Sequence, residues 1–509
     1  MKKVEILSAE QAACLVNDGD TLAICGCENI LSPETLLKAL GERFAQTGAP
    51  RDLVEIHPII VGMGVGKGLE HLAQPGMVRR AIGSGFSYLK TSRYTQLLKD
   101  NAFEAHVAPM GTLFQMLRDT AAGKKATFTQ VGLHTFVDPE LEGGRMNSRC
   151  EGSLARRVDI EGEAYLRYEL PRIQVAFLRG TTADEHGNIS LEHEPVSLGV
   201  KTLAMAAKNS GGKVIVQVAR MTQGGTLHPR MVEIPGIYVD AVVVDPEQEV
   251  SGGARLNPAL TGQTRLPVKH IGVVPPGLAR IVVNRAADEV EEHQVVNLGV
   301  GIPVEIPKLL VERGQGDHAV FFPEHGSVGG IPGERAIFGT NINPETIVDS
   351  TQVFEYFQGG GLDVTFLGFG QIDASGNVNV SKFNGIIPGC GGFIDITHKT
   401  AKVVFCGTFS AGGAEIDITD AQLCIRAEGK FSKFVPQVEQ VTFNGREALR
   451  KGQRVLYVTE RAVFSLQRDG LMLEELAPGV DMRTQVLDLI PFDVRVSPAL
   501  ATMKATHFI

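Results

Sequence analysis

Two local patterns each occur twice in this 509-residue chain, in the same order, and that duplication predicts two related units. In the first pattern an apolar strand meets a glycine turn and then a helix that opens at a proline. It reads Thr21-Leu22-Ala23-Ile24-Cys25-Gly26, then Ser32-Pro33-Glu34 and the helical spacing Leu36, Leu37, Leu40 and Phe44. Ser32 is placed as the N-cap and Pro33 as the first helical residue, where a missing N–H costs nothing. The counterpart is Val295-Val296-Asn297-Leu298-Gly299-Val300-Gly301-Ile302-Pro303 with Ile306, Leu309 and Leu310, ending near Gly314. In the second pattern a strand runs into an Asp-x-x-Gly-Asn turn and out again. Its copies are Phe177-Leu178-Arg179-Gly180 with Asp184 to Asn188, and Phe366-Leu367-Gly368-Phe369 with Asp373 to Asn377. An early Asp and a late Gly are the chemistry of a reversing hairpin. From Gly26 to Gly187 is 161 residues and from Gly299 to Gly376 only 77, so the first half carries about 84 extra residues.

Residues 251–276, rich in Gly, Asn, Pro and Thr, read as the connector. The expected division is an N-terminal domain over 1–255, a linker over 256–276 and a C-terminal domain over 277–509. Val214–Val218, Ala241–Val244 and Val403–Phe405 are continuous apolar runs, which predicts sheets covered on both faces and an α/β fold. A net charge of −9 excludes a global attraction to nucleic acid or anionic lipid, so the expected partner is a small molecule. The seven cysteines are dispersed, with Cys25 and Cys27 as C-x-C rather than C-x-x-C, and reduced thiols in a cytoplasmic protein are expected. Met1-Lys2-Lys3-Val4-Glu5 reaches a Glu before any apolar stretch of signal-peptide length. The apolar stretch from Ile56 to Gly66 is too short to cross a bilayer.

The familiar motifs are absent in informative ways. Gly62-Met63-Gly64-Val65-Gly66-Lys67-Gly68 lacks phosphate-loop spacing, and a dinucleotide fingerprint would need a glycine where Val304 stands. Gly407 to Gly412 has the wrong spacing for a nucleophile elbow. No H-E-x-x-H occurs, and no metal site is expected. Two segments stand out instead. Ala319 to Gly330 delivers one carboxylate, Glu324, from an apolar strand into a glycine-rich turn. Pro388-Gly389-Cys390-Gly391-Gly392-Phe393 has small residues whose backbone N–H groups can point into a cleft. Each alone is an ordinary turn; together they form a nucleophile and oxyanion-hole pair if the fold joins them.

The ordered set of segments resembles the family I coenzyme A transferases with both halves fused, near the acetate/propionate group of short-chain acyl-CoA:acetate or 3-ketoacid CoA-transferases. Those segments include Gly132 to Pro139, Leu178 to Glu185, His228 to Asp240, Asn297 to Pro303, the Glu324 turn, Gly359 to Asp363, Ser375 to Phe383, Gly389 to Phe393 and Phe405 to Phe409. The resemblance implies two related open α/β domains of the CoA-transferase (NagB/RpiA-like) type, a homo-oligomer (dimer or tetramer), and no permanent cofactor, with a coenzyme A thioester as substrate beside a small carboxylic acid. It places the nucleophile on Glu324, the oxyanion hole on Gly389, Gly391 and Gly392, and CoA contacts on Asn297, Leu298, Gly299, Val300 and Gly301. It also implies a ping-pong transfer through a glutamyl-CoA thioester. A free glutamate, with a pKa of about 4.3, is ionised at neutral pH and needs no partner base, so the missing triad is consistent.

The chain departs from that pattern at Glu104 to Gly111, where Met110 replaces a glutamine of the acid pocket, next to Gly111. A soft apolar side chain there implies either a bulkier acyl group or local repacking. Pro323 and His325 flank the glutamate where relatives have other residues, so His325 either tunes the nucleophile or faces solvent. An acyl-CoA hydrolase on the same fold and a non-catalytic metabolite-binding protein are the competing readings.

Overall fold

The apolar runs form the interiors of two parallel sheets in a computed structural model, which describes residues 3–62, 64–87, 89, 91–250, 253–267 and 272–509. Met63 of the glycine-rich loop lies outside these residues, as do 251–252 and 268–271 of the expected connector. In the first half the strands are β1 (Glu5–Leu7), β2 (Thr21–Ile24), β3 (Leu53–His57), β4 (Val78–Gly83), β5 (Gly85–Ser87), β6 (Glu104–Val107), β7 (Val175–Arg179), β8 (Lys213–Val218) and β9 (Ala241–Val244). All but β5 join one parallel sheet in the order β1-β9-β8-β7-β2-β3-β4-β6. Helices α1 (Glu34–Thr47), α2 (Met110–Ala121) and α3 (Val200–Asn209) belong to this half.

In the second half come α4 (Leu278–Ala287), β10 (Val295–Leu298), α5 (Ile306–Glu312), β11 (Val320–Phe321), α6 (Ser350–Gly359) and β12 (Val364–Leu367). Then follow β13 (Ile387–Gly389), α7 (Phe393–Thr397), β14 (Lys402–Cys406), β15 (Arg454–Val458), β16 (Ala462–Gln467), β17 (Gly470–Leu476) and β18 (Arg495–Thr502). The sheet runs β11-β10-β12-β14-β15-β16-β17-β18, parallel through β15 and antiparallel into β16 and β17. The order β3-β2-β7-β8-β9 in one half thus matches β11-β10-β12-β14-β15 in the other. The surplus of the first half includes β4 to β6 and a three-stranded antiparallel sheet between residues 126 and 169.

The duplicated turn repeats down to its hydrogen bonds. Asp184 Oδ1 accepts from the N–H of His186 and Asn188 at 2.9 and 3.0 Å, and Asp373 Oδ1 accepts from Ser375 and Asn377 at 2.9 and 3.1 Å. In both, the Asn side chain closes on Oδ2 at 3.0 Å. The proline-opened helix differs from expectation. α1 begins at Glu34 with Pro33 as its cap residue, and the hydroxyl of Ser32 has no hydrogen-bond partner among the described residues. Here the neighbouring strand does the capping: Gln217 Oε1 accepts the Thr35 N–H at 2.9 Å, while the Ser32 carbonyl takes Glu34 N–H and Arg179.

The halves are joined by backbone as well as side chains. β5 pairs antiparallel with β13, Ser87 opposite Ile387 and Gly85 opposite Gly389. Asp349, the cap of α6, also accepts from Ser197 Oγ and the Gly199 N–H across the interface. Phe114 of α2 stacks on Phe354 of α6 with ring centroids 6.0 Å apart, and one apolar core runs from Leu178 through Met110 and Phe354 to Phe405. Described parts of the connector are pinned too, Leu266 and Asn343 exchanging two hydrogen bonds of 2.8 Å. Among the described residues no helix is long and apolar enough to cross a membrane.

At the β5–β13 seam there is no room for a side chain. A Cβ on Gly85 would stand 2.1 Å from the Pro388 carbonyl oxygen. Gly85→Ala is therefore expected to cost about 1–3 kcal/mol in urea unfolding, and unchanged stability would show that the strands part freely.

Candidate active site

Glu324 leaves the end of β11 two residues after Phe322, whose N–H still bonds Val296 of β10. The chain then reverses at Gly326, with φ of +119° and the Val348 carbonyl oxygen 2.0 Å from where a Cβ would lie, a turn that only glycine can make. The reversal holds Glu324 on the wall of a cavity of about 280 Å³. The carboxylate is 8% exposed, and Oε2 has no hydrogen-bond partner among the described residues. An unpaired buried carboxylate oxygen is costly to keep, so it marks a place built for something other than stability.

Gly389, Gly391 and Gly392 lie on the same wall, as do Gly299 and Val300. The rest is mostly apolar, including Phe338, Leu367, Phe369, Phe383 and Phe393. The fold thus brings together the carboxylate, the glycine segment and part of the β10 turn. Asn297 is not on this wall: its side chain is fully buried, donating to the Phe322 carbonyl at 3.1 Å and accepting from Thr365 Oγ1 at 3.2 Å, which ties β10 to both neighbours. Leu298 is core, and Gly301, which is exposed and precedes a 3₁₀ turn, is not among the residues lining the cavity. Strand alternation explains the split, since residues inside β10 point into the sheet's covered faces and only the turn after it reaches the cavity.

The three expected oxyanion donors are not equivalent. Gly389 N–H is given to the Ser381 carbonyl at 3.1 Å, and Cys390 and Gly391 N–H both go to the Ser84 carbonyl at 2.9 Å. Gly392 N–H makes no hydrogen bond among the described residues, so it is the one donor of the three free to meet a ligand. Met110 and Gly111 do not line the cavity. They open α2 immediately behind the glycines, with Met110 N–H on the Gly391 carbonyl at 3.1 Å and Gly111 N–H on Asp395 at 3.0 Å.

His325 does not face solvent. It is buried, edge-on to Phe338 with centroids 5.9 Å apart, and burial holds its pKa below the ordinary value, so the ring is neutral. Besides Met110 and Gly111, the first half brings Cys27 and Glu28 into the surroundings of the site, which sequence reasoning did not single out. Burial, and then the charges of Glu28 and Glu324, push the Cys27 thiol well up, making it a protonated, unreactive thiol. Its C-x-C spacing had been informative only as a poor metal motif. Glu28 has a left-handed backbone, φ of 51°, pinned by Glu28 N–H to the Ile60 carbonyl and by Gly62 N–H to its own carbonyl. The described residues contain no group of three or more metal-ligating side chains.

A carboxylate and a free backbone donor face one largely apolar cavity at the strand ends of paired α/β sheets, an arrangement suited to group transfer. The comparisons with known proteins name the group. The profile of the family described as Coenzyme A transferase matches residues 6–245. The acetate CoA-transferase YdiF of Escherichia coli K12 is 39% identical over 509 residues, covering 100% of this chain and 96% of that protein. The caffeate CoA-transferase of Acetobacterium woodii is 39% identical over 519 residues, covering 99% and 97%. The crystal structure of the E. coli O157:H7 acyl-CoA transferase YdiF as a thioester complex with CoA superposes with a TM-score of 0.94 at 39% identity, over 100% of this chain and 96% of that one. The chain belongs to the coenzyme A transferase family and is a CoA-transferase.

Glu28 supplies a pH test of the site's environment. Burial raises its carboxyl to about 7, so the folded protein holds this proton more tightly than the unfolded chain does. The group's contribution to stability is therefore full below about pH 4 and is lost as pH rises through about 7. Glu28→Gln is expected to melt at a higher temperature than the parent at pH 8 and at the same temperature near pH 4. Equal melting temperatures at both values would show that Glu28 is solvated.

Proposed function

We propose that the enzyme moves CoA between carboxylic acids by a ping-pong route through a glutamyl-CoA thioester at Glu324. The observation that carries this is the unpartnered, buried Glu324 oxygen on a cavity that also holds the free Gly392 N–H. A Glu324 oxygen attacks the thioester carbonyl; the C–O bond forms, the C–S bond breaks, and CoA leaves as thiolate. The product is a mixed anhydride between Glu324 and the acyl group. The thiolate then attacks the glutamyl carbonyl, giving glutamyl-CoA and releasing the first acid as carboxylate. The incoming acid reverses both steps and departs as the new thioester.

Each tetrahedral intermediate develops an oxyanion, and removal of one preorganised donor typically costs about 10²–10³ in rate. Gly392 N–H is the donor assigned here, with Gly389 and Gly391 building the turn that presents it. Gly299 and Val300 are the CoA contacts retained from the β10 turn. The aromatic walls keep water from the anhydride and thioester, each of which hydrolysis would waste, and that favours transfer over the hydrolase reading. The donor and acceptor acids are proposed to be short-chain, such as acetate or propionate, in line with the acetate-specific name of one relative. Met110, packed behind Gly391, is proposed to tune that choice.

Incubation with acetyl-CoA or propionyl-CoA, borohydride reduction and peptide mass analysis should place the modification on Glu324. Glu324→Gln should lose both the adduct and at least about 10³ of the transfer rate. An active parent without modification at Glu324 would falsify the route. Met110→Gln is expected to change the ranking of kcat/KM across a panel of acceptor acids, and an unchanged ranking would assign Met110 to packing alone.

A further inference from the structure

Helix α2 has no cap of its own. Pro109 precedes it and provides no side-chain acceptor, yet the first N–H groups of a helix need partners when buried. Every acceptor comes from the other half. Met110 N–H goes to the Gly391 carbonyl at 3.1 Å and Gly111 N–H to Asp395 Oδ2 at 3.0 Å. These acceptors lie on either side of Gly392, and Asp395 sits in α7, the helix that Gly392 begins.

Asp395 is completely buried, and no cation pairs with it among the described residues. Its second oxygen accepts from Gln358 Nε2 of α6 at 2.9 Å. Burial pushes the carboxyl up to about 7, partly offset by the Gly111 and Gln358 donors. The fit leaves no slack: a Cβ on Gly111 would fall 2.6 Å from Gln358 Nε2 and 2.7 Å from Asp395 Oδ1. At five residues α7 is too short to hold an orientation unaided, and Gly392 has no side chain with which to cap it. The Phe393–Phe405 stack and the Gln453 hydrogen bond to the Thr397 carbonyl hold the body of α7, and its grip on α2 fixes the end that carries Gly392.

Resting on the assignment of Gly392 as oxyanion donor, we propose that Asp395 is a positioning residue for the transfer reaction: by capping α2 across the interface it holds the Gly392 N–H at the cavity wall that also carries Glu324. The carboxylate touches no substrate. It acts through the backbone, making the N-terminus of α2 in one half the reference point for the donor in the other. The need for a buried acceptor explains the carboxylate, and the close approach explains Gly111.

Asparagine is the conservative test. Its amide oxygen can face Gly111, and a rotated Gln358 amide can accept from its NH₂, so Asp395→Asn should keep kcat within about fivefold of the parent. Asp395→Ala leaves the Gly111 and Gln358 N–H donors without their acceptor and should lower kcat roughly 10²-fold with KM for acetyl-CoA within about threefold. Because the alanine variant can lose folded protein, rates are taken per active site from single-turnover formation of the Glu324 adduct. Gly111→Ala, which keeps Asp395 but wedges the helix away, should show the same kcat-only loss. The proposal is overturned if the per-site rate of Asp395→Ala equals the parent's, if its loss lies in KM, or if the asparagine variant is as slow as the alanine one. An active parent that forms no adduct at Glu324 removes the underlying reading instead, and the arms therefore separate the two failures.

Discussion

The Ser84 carbonyl is the point on which this architecture turns. One oxygen of the first half accepts the N–H groups of both Cys390 and Gly391 from the second, at 2.9 Å each. Two buried donors that would otherwise cost free energy are satisfied by a single acceptor, and their use leaves only Gly392 N–H of the glycine run unspent. The acceptor is itself fixed from behind. The carbonyl of Gly85, the next residue, accepts from His57 Nε2 at 2.7 Å, and His57 is held on its other side by the fully buried Glu55 at 2.5 Å. Rigidity therefore passes from the first sheet through β5 into the segment that faces Glu324. A cavity placed on the second half owes its backbone geometry to the first.

Much of the fold could be read from the chain because its signals are local. The strand-to-turn pattern at Asn297 and the Asp-x-x-Gly-Asn hairpins depend on residues within ten positions, and both appear where the spacing put them. The uninterrupted apolar runs required sheets covered on both faces, and β7, β8 and β14 are buried almost end to end. Ser32 shows where local reasoning stops. As a cap it was chemically sound, but Gln217, a strand away, competes for the same helix end.

The site was legible as residue types and much less so as geometry. Glu324 and the glycine run could be singled out, and the structure puts them on one wall. That Gly391 was already committed as a donor depended on Ser84, some three hundred residues away, and that Gly389 was depended on the loop fold that brings back Ser381. Asn297 read as a ligand contact because it stood in a glycine turn; its place inside β10 makes it a tie between strands. Cys27, Glu28 and Asp395 carried no signal at all, since each matters only through a partner in the other half or in a distant loop.

The connector bears on how such a site comes into being. With the halves on separate chains, their meeting would be a second-order event that fades on dilution. Joined through a segment that is itself pinned, as by the paired hydrogen bonds of Leu266 and Asn343, they meet at an effective concentration set by the tether, on the order of millimolar for a short flexible one. Docking of β5 on β13 is then a unimolecular closing step. Its equilibrium is indifferent to how much protein is present.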